Sequence, residues 1–178
     1  VVYRLRCHEL EDKNTSLMGD YLNNLLNLDD DEKIIYMVAT DDYQGHMLFF
    51  YENGKAAKIP MESYKTKTNR KKLANAYSKT SNLISLQYIT QDKQLIAVSN
   101  IKKVLLFDTG QINQKITRNS NGVQVLKSKN KSSLLDIMDL EDVSFKNMNY
   151  YKANIPAVGT FLKKDDLLEK EYKNLSFI

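Results

Sequence analysis

Apolar residues along this chain come in short runs closed by polar or turn-forming residues, the pattern of strands rather than of long helices. "KIIYMVAT" (33–40) and "HMLFFY" (46–51) are rich in β-branched and aromatic side chains. "HMLFFY" meets "AAKIPM" (56–61) across "ENGK", where Asn53-Gly54 accepts positive φ at little cost and predicts a hairpin. "LISLQYI" (83–89) and "QLIAVS" (94–99) flank "TQDK", and their spacing predicts a second hairpin. "GVQVLKS" (122–128) and "SLLDIMDL" (133–140) flank "KNKS" and predict a third, after the strand "KKVLLFDT" (102–109). Strands recurring at this rate, joined by turn chemistry, predict an all-β sandwich, barrel or propeller-like fold. A period near 3.6 marks "DYLNNLLNL" (20–28), "TNRKKLANAYSK" (68–79) and "KKDDLLEKEYKNL" (163–175) as helical segments.

The strands repeat in an order. Three segments each run from a strand through a turn and second strand into a polar or basic loop, reach a small residue, and end in another strand pair. The approximate units are 1–45, 46–100 and 101–145, with a tail over 146–178. A repeat of this length suits propeller-type blades. Repetition places equivalent loops on one face of successive units. The loop of the second unit is "KTKTNRKK" (65–72) and that of the third is "QKITRNSN" (114–121).

Charge sharpens this picture. The net charge of +4 conceals a segregation. Residues 1–50 hold four basic and ten acidic side chains, residues 51–80 eight and two, and residues 102–131 seven and one. Two basic blocks that also contain apolar strands are folded segments displaying charge, not a disordered tail. The acidic first unit is expected to face away from any polyanion, toward solvent or another part of a parent protein. The single cysteine, Cys7, excludes an internal disulfide, and the opening residues contain no secretory apolar stretch, so the expected compartment is the cytoplasm. No apolar run approaches a membrane span. The opening residues read as the middle of a strand, and a segment of a longer protein is expected.

Catalytic constellations are wanting. Asp29, Asp30, Asp31 and Glu32 are consecutive, without metal-loop spacing, and read as a solvated turn. His8 beside Cys7 lacks further ligands at zinc spacing, and His46 stands at a strand start. Phe49, Phe50 and Tyr51 read as core. Neither a metal nor a cofactor is expected in this segment, nor a stand-alone enzyme.

"ENGKAAKIPMESYKTKTNRKKLANAYS" and "VLLFDTGQINQKITRNSNGVQVLKSK" resemble the C-terminal domain of the A subunit of bacterial type IIA topoisomerases, the enzymes DNA gyrase and topoisomerase IV. The resemblance covers about residues 1–140, with three units in order and Arg118 and Gly122 in place. It implies a β-pinwheel of about three blades, each a four-stranded antiparallel sheet, with strands exchanged between neighbours; a short C-terminal helix is expected after them. It also implies duplex DNA bound round a basic rim and bent or wrapped there. ATP and Mg then belong elsewhere in the parent enzyme, and the expected protein partners are its B subunit together with the rest of its A subunit. The family's nucleophilic tyrosine directly follows an arginine, and this chain has no Arg-Tyr dipeptide among its eleven tyrosines. The gyrase box QRRGGRG is missing from the first-unit loop "EDKNTSLMGD", which leans toward a topoisomerase IV-like protein.

The candidate DNA contacts are Lys65, Lys67, Arg70, Lys71, Lys72, Lys115 and Arg118 in the two loops. Lys102, Lys103, Lys127 and Lys129 extend the track, as does Lys131. Arg70 and Arg118 suit bidentate phosphate contacts, and the lysines act as point charges. Two other readings stay open on the residues alone: a propeller-like module binding an acidic protein, and an RNA-binding module.

Overall fold

In a computed structural model, residues 1–66, 68, 70–128 and 132–168 are described. The strands in chain order are β1 (Val2–Tyr3), β2 (His46–Tyr51), β3 (Lys55–Pro60), β4 (Lys72–Leu73), β5 (Leu83–Ile89), β6 (Gln94–Ser99), β7 (Lys103–Asp108), β8 (Val123–Gln124), β9 (Leu134–Met138), β10 (Val143–Ser144), β11 (Thr160–Phe161) and β12 (Leu167–Leu168). One short helix, α1 (Leu22–Leu26), lies between β1 and β2.

Two hairpins organise the rest. β2 and β3 pair antiparallel from His46↔Pro60 to Phe50↔Ala56. Their turn needs Gly54: its φ is +75°, and a Cβ there would stand 2.0 Å from the Leu126 carbonyl oxygen. β6 and β7 pair in the same way, from Gln94↔Asp108 to Val98↔Val104. Lys102, at φ +57°, takes the left-handed place in this second turn without being a glycine. β2, β6 and β10 begin at His46, Gln94 and Val143, a nearly even step.

Each hairpin becomes a four-stranded sheet by recruiting strands from elsewhere. The orders are β5-β2-β3-β8 and β11-β7-β6-β9, and the sheets β1-β4 and β10-β12 have two strands each. All these pairings are antiparallel. After β7 the chain crosses to the edge of the preceding sheet, pairs there with β3 as β8, and returns as β9 beside β6. β4 reaches back to β1 and β11 to β7. This handing of strands between neighbouring blades is the β-pinwheel arrangement. Where about three blades are expected, the described chain forms two of four strands and two of two strands.

Several local expectations are corrected by this topology. Segments 83–89 and 94–99 are not each other's partners: β5 pairs with β2 and β6 with β7. Residues 122–128 and 133–140 likewise separate, β8 to β3 and β9 to β6. Turn residues reverse the chain, but the apolar edge that accepts the strand lies elsewhere: on β2 of the same unit for β5, and on β3 and β6 of the preceding unit for β8 and β9. No helix forms over the described part of 68–79; β4 lies there, and Leu73 and Ala76 are buried by the crossing strand rather than by a helix face. The tail helix is replaced, as far as it is described, by β12, whose Leu168 is buried; residues beyond 168 lie outside the described part. Residues 33–40 join no sheet, and Ile34 to Met37 are exposed. α1 does form, within 20–28, and ends at Asn27 with φ +49°.

The core explains why the strand runs are apolar without alternation: both four-stranded sheets are covered on both faces. Leu48 and Phe50 point into a cluster shared with Leu95, Ala97, Leu105, Phe107 and Ile137 of the next blade. Met47, Phe49 and Tyr51 point the other way, to Ile59, Met61, Tyr64 and Leu73. On the far side of the second blade Ile96, Val98, Val104 and Leu106 meet Val143, Tyr151 and Leu168. Each large side chain so buried contributes roughly 1.5–3 kcal/mol. Among the described residues, no helix is long and apolar enough to cross a membrane.

Candidate nucleic-acid interface

The first basic loop leaves β3 through a single 3-10 turn, Met61–Tyr64, whose Met61 and Tyr64 are buried. The Tyr64 hydroxyl donates to the Ala76 carbonyl at 2.8 Å and so ties the two ends of the crossover. Between them Lys65, Arg70, Lys71 and Lys72 are exposed; Lys67 lies outside the described residues. Arg4, which the charge pattern does not single out, joins this loop. It donates to Thr66 Oγ1, and its Nε donates to the Tyr43 hydroxyl at 3.2 Å. The Tyr43 ring has the Arg4 guanidinium carbon at 5.8 Å and Lys65 Nζ at 5.9 Å.

The acidic first unit does not face away from this loop. Lys71 Nζ lies 2.6 Å from a Glu9 oxygen. Lys72 Nζ lies 2.9 Å from Asp29, 3.4 Å from Glu32 and 5.2 Å from the centre of the Tyr3 ring. Tyr3 donates to Glu32. Hydrogen bonding to Tyr3 and then Asp29 holds the Lys72 ammonium above its ordinary range. The Tyr3 hydroxyl holds Glu32 below the usual carboxylate range, and Lys71 does the same for Glu9. The physical reason is proximity in space: β1 and β4 are neighbours, so the segment that follows β1 meets the loop that precedes β4.

The second loop is anchored at both ends of its tip. Lys115 N–H donates to the Lys58 carbonyl at 2.8 Å, and Gln114 Oε1 lies 2.9 Å from His46 Nε2. Ser63 Oγ donates to the Ile116 carbonyl at 3.1 Å, and the Arg118 guanidinium donates to the Ser63 carbonyl at 3.2 Å. Ser63 belongs to the turn from which the first loop emerges. Ser63, Asn75, Ile116, Thr117, Arg118 and Asn119 line a shallow cleft between the two crossovers. Ser63, two residues before Lys65, and Asn75, two residues after Leu73, therefore border the same cleft as residues 116–119. Among the described residues, Lys65, Arg70, Lys115 and Arg118 have no acidic side chain at ion-pair distance.

The remaining basic candidates have other neighbours. Lys102 and Lys103 occupy the β6–β7 turn, where the Lys102 carbonyl accepts from Leu162 N–H at 3.0 Å and Lys103 Nζ stands 4.9 Å from the Phe161 ring centre. Lys127 N–H donates to the Ala157 carbonyl at 2.7 Å. Lys102 and Lys103 lie beside β11, and Lys127 beside the segment that leads into it. Lys129 and Lys131 lie outside the described residues. Ser63 and Asn75 have no sequence signal, because their role rests on a contact between two units. Among the described residues, no cluster of three His, Cys, Asp or Glu is placed to hold a metal.

No protein-family profile matches the chain. The A subunit of DNA topoisomerase 4 from Bacillus subtilis (strain 168) is 26% identical over 109 residues, which cover 60% of this chain and 14% of that protein. Among solved structures, a C-terminal domain of DNA topoisomerase IV superposes with a TM-score of 0.71 at 22% identity, over 89% of this chain and 55% of that one. A DNA gyrase A C-terminal domain gives 0.59 at 18%, over 88% and 54%. The E. coli ParC C-terminal domain gives 0.61 at 12%, over 84% and 68%. The chain thus spans about half the length of the first two solved domains and a small part of the curated relative. In sequence it resembles a topoisomerase IV A subunit, and its β-pinwheel fold is that of the C-terminal domains of topoisomerase IV and gyrase A.

Proposed function

We propose that this chain is a duplex-DNA-binding and DNA-bending module of a type IIA topoisomerase A subunit, with the cleavage chemistry elsewhere in the parent enzyme. The observation that carries the proposal is that the second basic loop is hydrogen-bonded, through Ile116 and Arg118, to Ser63 in the turn from which the first basic loop leaves. The parent would be an ATP-dependent, cytoplasmic enzyme. Its B subunit, together with the rest of its A subunit, would supply the protein partners. The missing QRRGGRG box favours a topoisomerase IV-like parent.

Binding of this kind needs no base contacts. Each lysine or arginine set against a phosphate releases a condensed counterion, so six such contacts give a slope of log K on log salt of roughly −5. Arg118, held by Ser63, is pre-positioned for a phosphate; Lys65, Arg70 and Lys115 add charge beside it. Lys102, Lys103 and Lys127 would meet the duplex further along, beside β11 and the segment that leads into it, where the bend carries it. Bending a short site costs on the order of 1–6 kcal/mol, which several phosphate contacts offset.

The test is charge reversal at Arg70, Lys115 and Arg118, read by titrating a labelled linear duplex at several salt concentrations. Affinity is expected to fall about tenfold or more, and the salt slope to shrink by roughly one per residue. Unchanged affinity and slope would overturn the assignment. That outcome would favour a second reading, a protein-interaction module, which the exposed run Ile34 to Met37 supports.

A further inference from the structure

The ion pairs at Lys71 and Lys72 have a consequence if the DNA-binding reading holds, on which this inference rests. We infer that the acidic segment between β1 and β2 covers part of the basic loop as an internal stand-in for phosphate, and that duplex DNA must displace it. Two separate pieces of the segment converge on two consecutive lysines. Glu9 comes from the 3-10 turn Cys7–Glu9 and meets Lys71. Asp29 and Glu32 come from the turn after α1 and meet Lys72.

The carboxylates are held in place rather than draped over the loop. Arg6 N–H donates to Glu9 at 3.4 Å, Asp29 N–H donates to Glu32 at 3.1 Å, and Tyr3 donates to the same Glu32. Lys72 is also stacked over Tyr3. At the same time the pairs are open to water: the side chains of Lys71 and Lys72 keep 48% and 44% of their exposure. Exposed pairs are weak individually, so a polyanion can exchange for them. Lys65, Arg70, Lys115 and Arg118, without such partners, take the duplex first. Lys71 and Lys72 join only as the carboxylates leave. An internal anion already at these lysines also means that fewer counterions are released there, so wild-type binding is weaker and less salt-dependent than the lysine count implies.

The turn after α1 contains its own control. Among the described residues, Asp30 and Asp31 make no ion pair, yet they sit between Asp29 and Glu32 and carry the same charge. Removing two negative charges at either pair changes the overall field equally, but only one pair frees Lys72. The experiment compares Asp29→Asn/Glu32→Gln with Asp30→Asn/Asp31→Asn on a short labelled duplex over a salt series. The first is expected to bind about three- to tenfold tighter than the second, with a salt slope steeper by about one. Adding Lys72→Ala is expected to abolish that gain. Glu9→Gln, acting through Lys71 from a different element, is expected to tighten binding in a smaller step, and it keeps the test open if the double variant does not fold. Equal binding by the two double variants and no gain from Glu9→Gln would overturn the inference. Affinity that ignores Arg70, Lys115 and Arg118 as well would sink the DNA-binding reading beneath it.

Discussion

Gly122 shows how little room the strand exchange leaves. It stands immediately before β8 at φ +69°, and a Cβ there would lie 2.0 Å from the Ala56 carbonyl oxygen on β3. Gly122→Ala is expected to destabilise the fold by at least about 2 kcal/mol, since left-handed strain and a backbone collision act together. Gly19→Ala, with nothing within 4 Å, is expected to change little. Urea unfolding of the two variants measures the contrast. Part of this is visible in the sequence: Asn53-Gly54 announces its turn, and Gly122 at the head of the strand "VQV" announces a close approach. Lys102 in the equivalent turn is invisible, because nothing about a lysine signals positive φ. Nor does any local pattern point to Arg4 or Ser63, whose partners lie 39 and 62 residues away in the chain for Arg4 and over fifty for Ser63.

At the scale of elements, most strands were legible, but of their pairings only the β2–β3 hairpin was. The runs 46–51, 83–89 and 94–99 are strands as the apolar pattern requires. Pairing of β5 with β2 instead of β6 depends on complementary edges, which a single chain's turn residues do not encode. One side-chain network fixes these connections. Lys58 Nζ on β3 lies 2.6 Å from Asp92, which sits between β5 and β6. Thr109, after β7, donates to the same carboxylate at 2.8 Å and accepts from Lys93 N–H at 2.9 Å. Lys58 is nearly buried, at 8% side-chain exposure, while Asp92 keeps 45%. Lys58 first, then the Thr109 hydroxyl, holds the Asp92 carboxyl below its usual range, against an opposing effect of burial. A folded pKa below the unfolded one gives stability that is present above the unfolded value of about 3.9 and lost as pH falls through the folded value. Asp92→Asn leaves a buried ammonium without its carboxylate, at an expected cost of about 1–3 kcal/mol near neutral pH. The difference from wild type should narrow below about pH 4. Denaturant titrations at neutral and acid pH read both effects; a constant difference would mean that Asp92 does not act through its charge.

For the whole molecule, the question is whether blades are independent units. Repeat proteins with contacts only between neighbours approximate a sum of modules. Here the modules are sewn together: β8 belongs by sequence to one unit and by pairing to the sheet before it, and the largest core cluster draws from both four-stranded sheets. Phe107 on β7 is 1% exposed and meets Phe50 of the other blade edge-on, with ring centres 6.3 Å apart. Phe107→Ala is expected to cost about 3–5 kcal/mol. The loss should appear in both blades. Native-state hydrogen exchange reports each sheet separately, through the amides of β3 and of β7. If unfolding is one event, protection falls by the same free energy at both sets of amides. If each blade opens alone, the β7 amides lose protection and those of β3 keep theirs. The shared fall is the expected result, because removing either sheet would expose the face that the other sheet covers and strip β8 from its edge. A blade that kept its protection while its neighbour opened would show that strand exchange adds connectivity to this pinwheel without adding cooperativity.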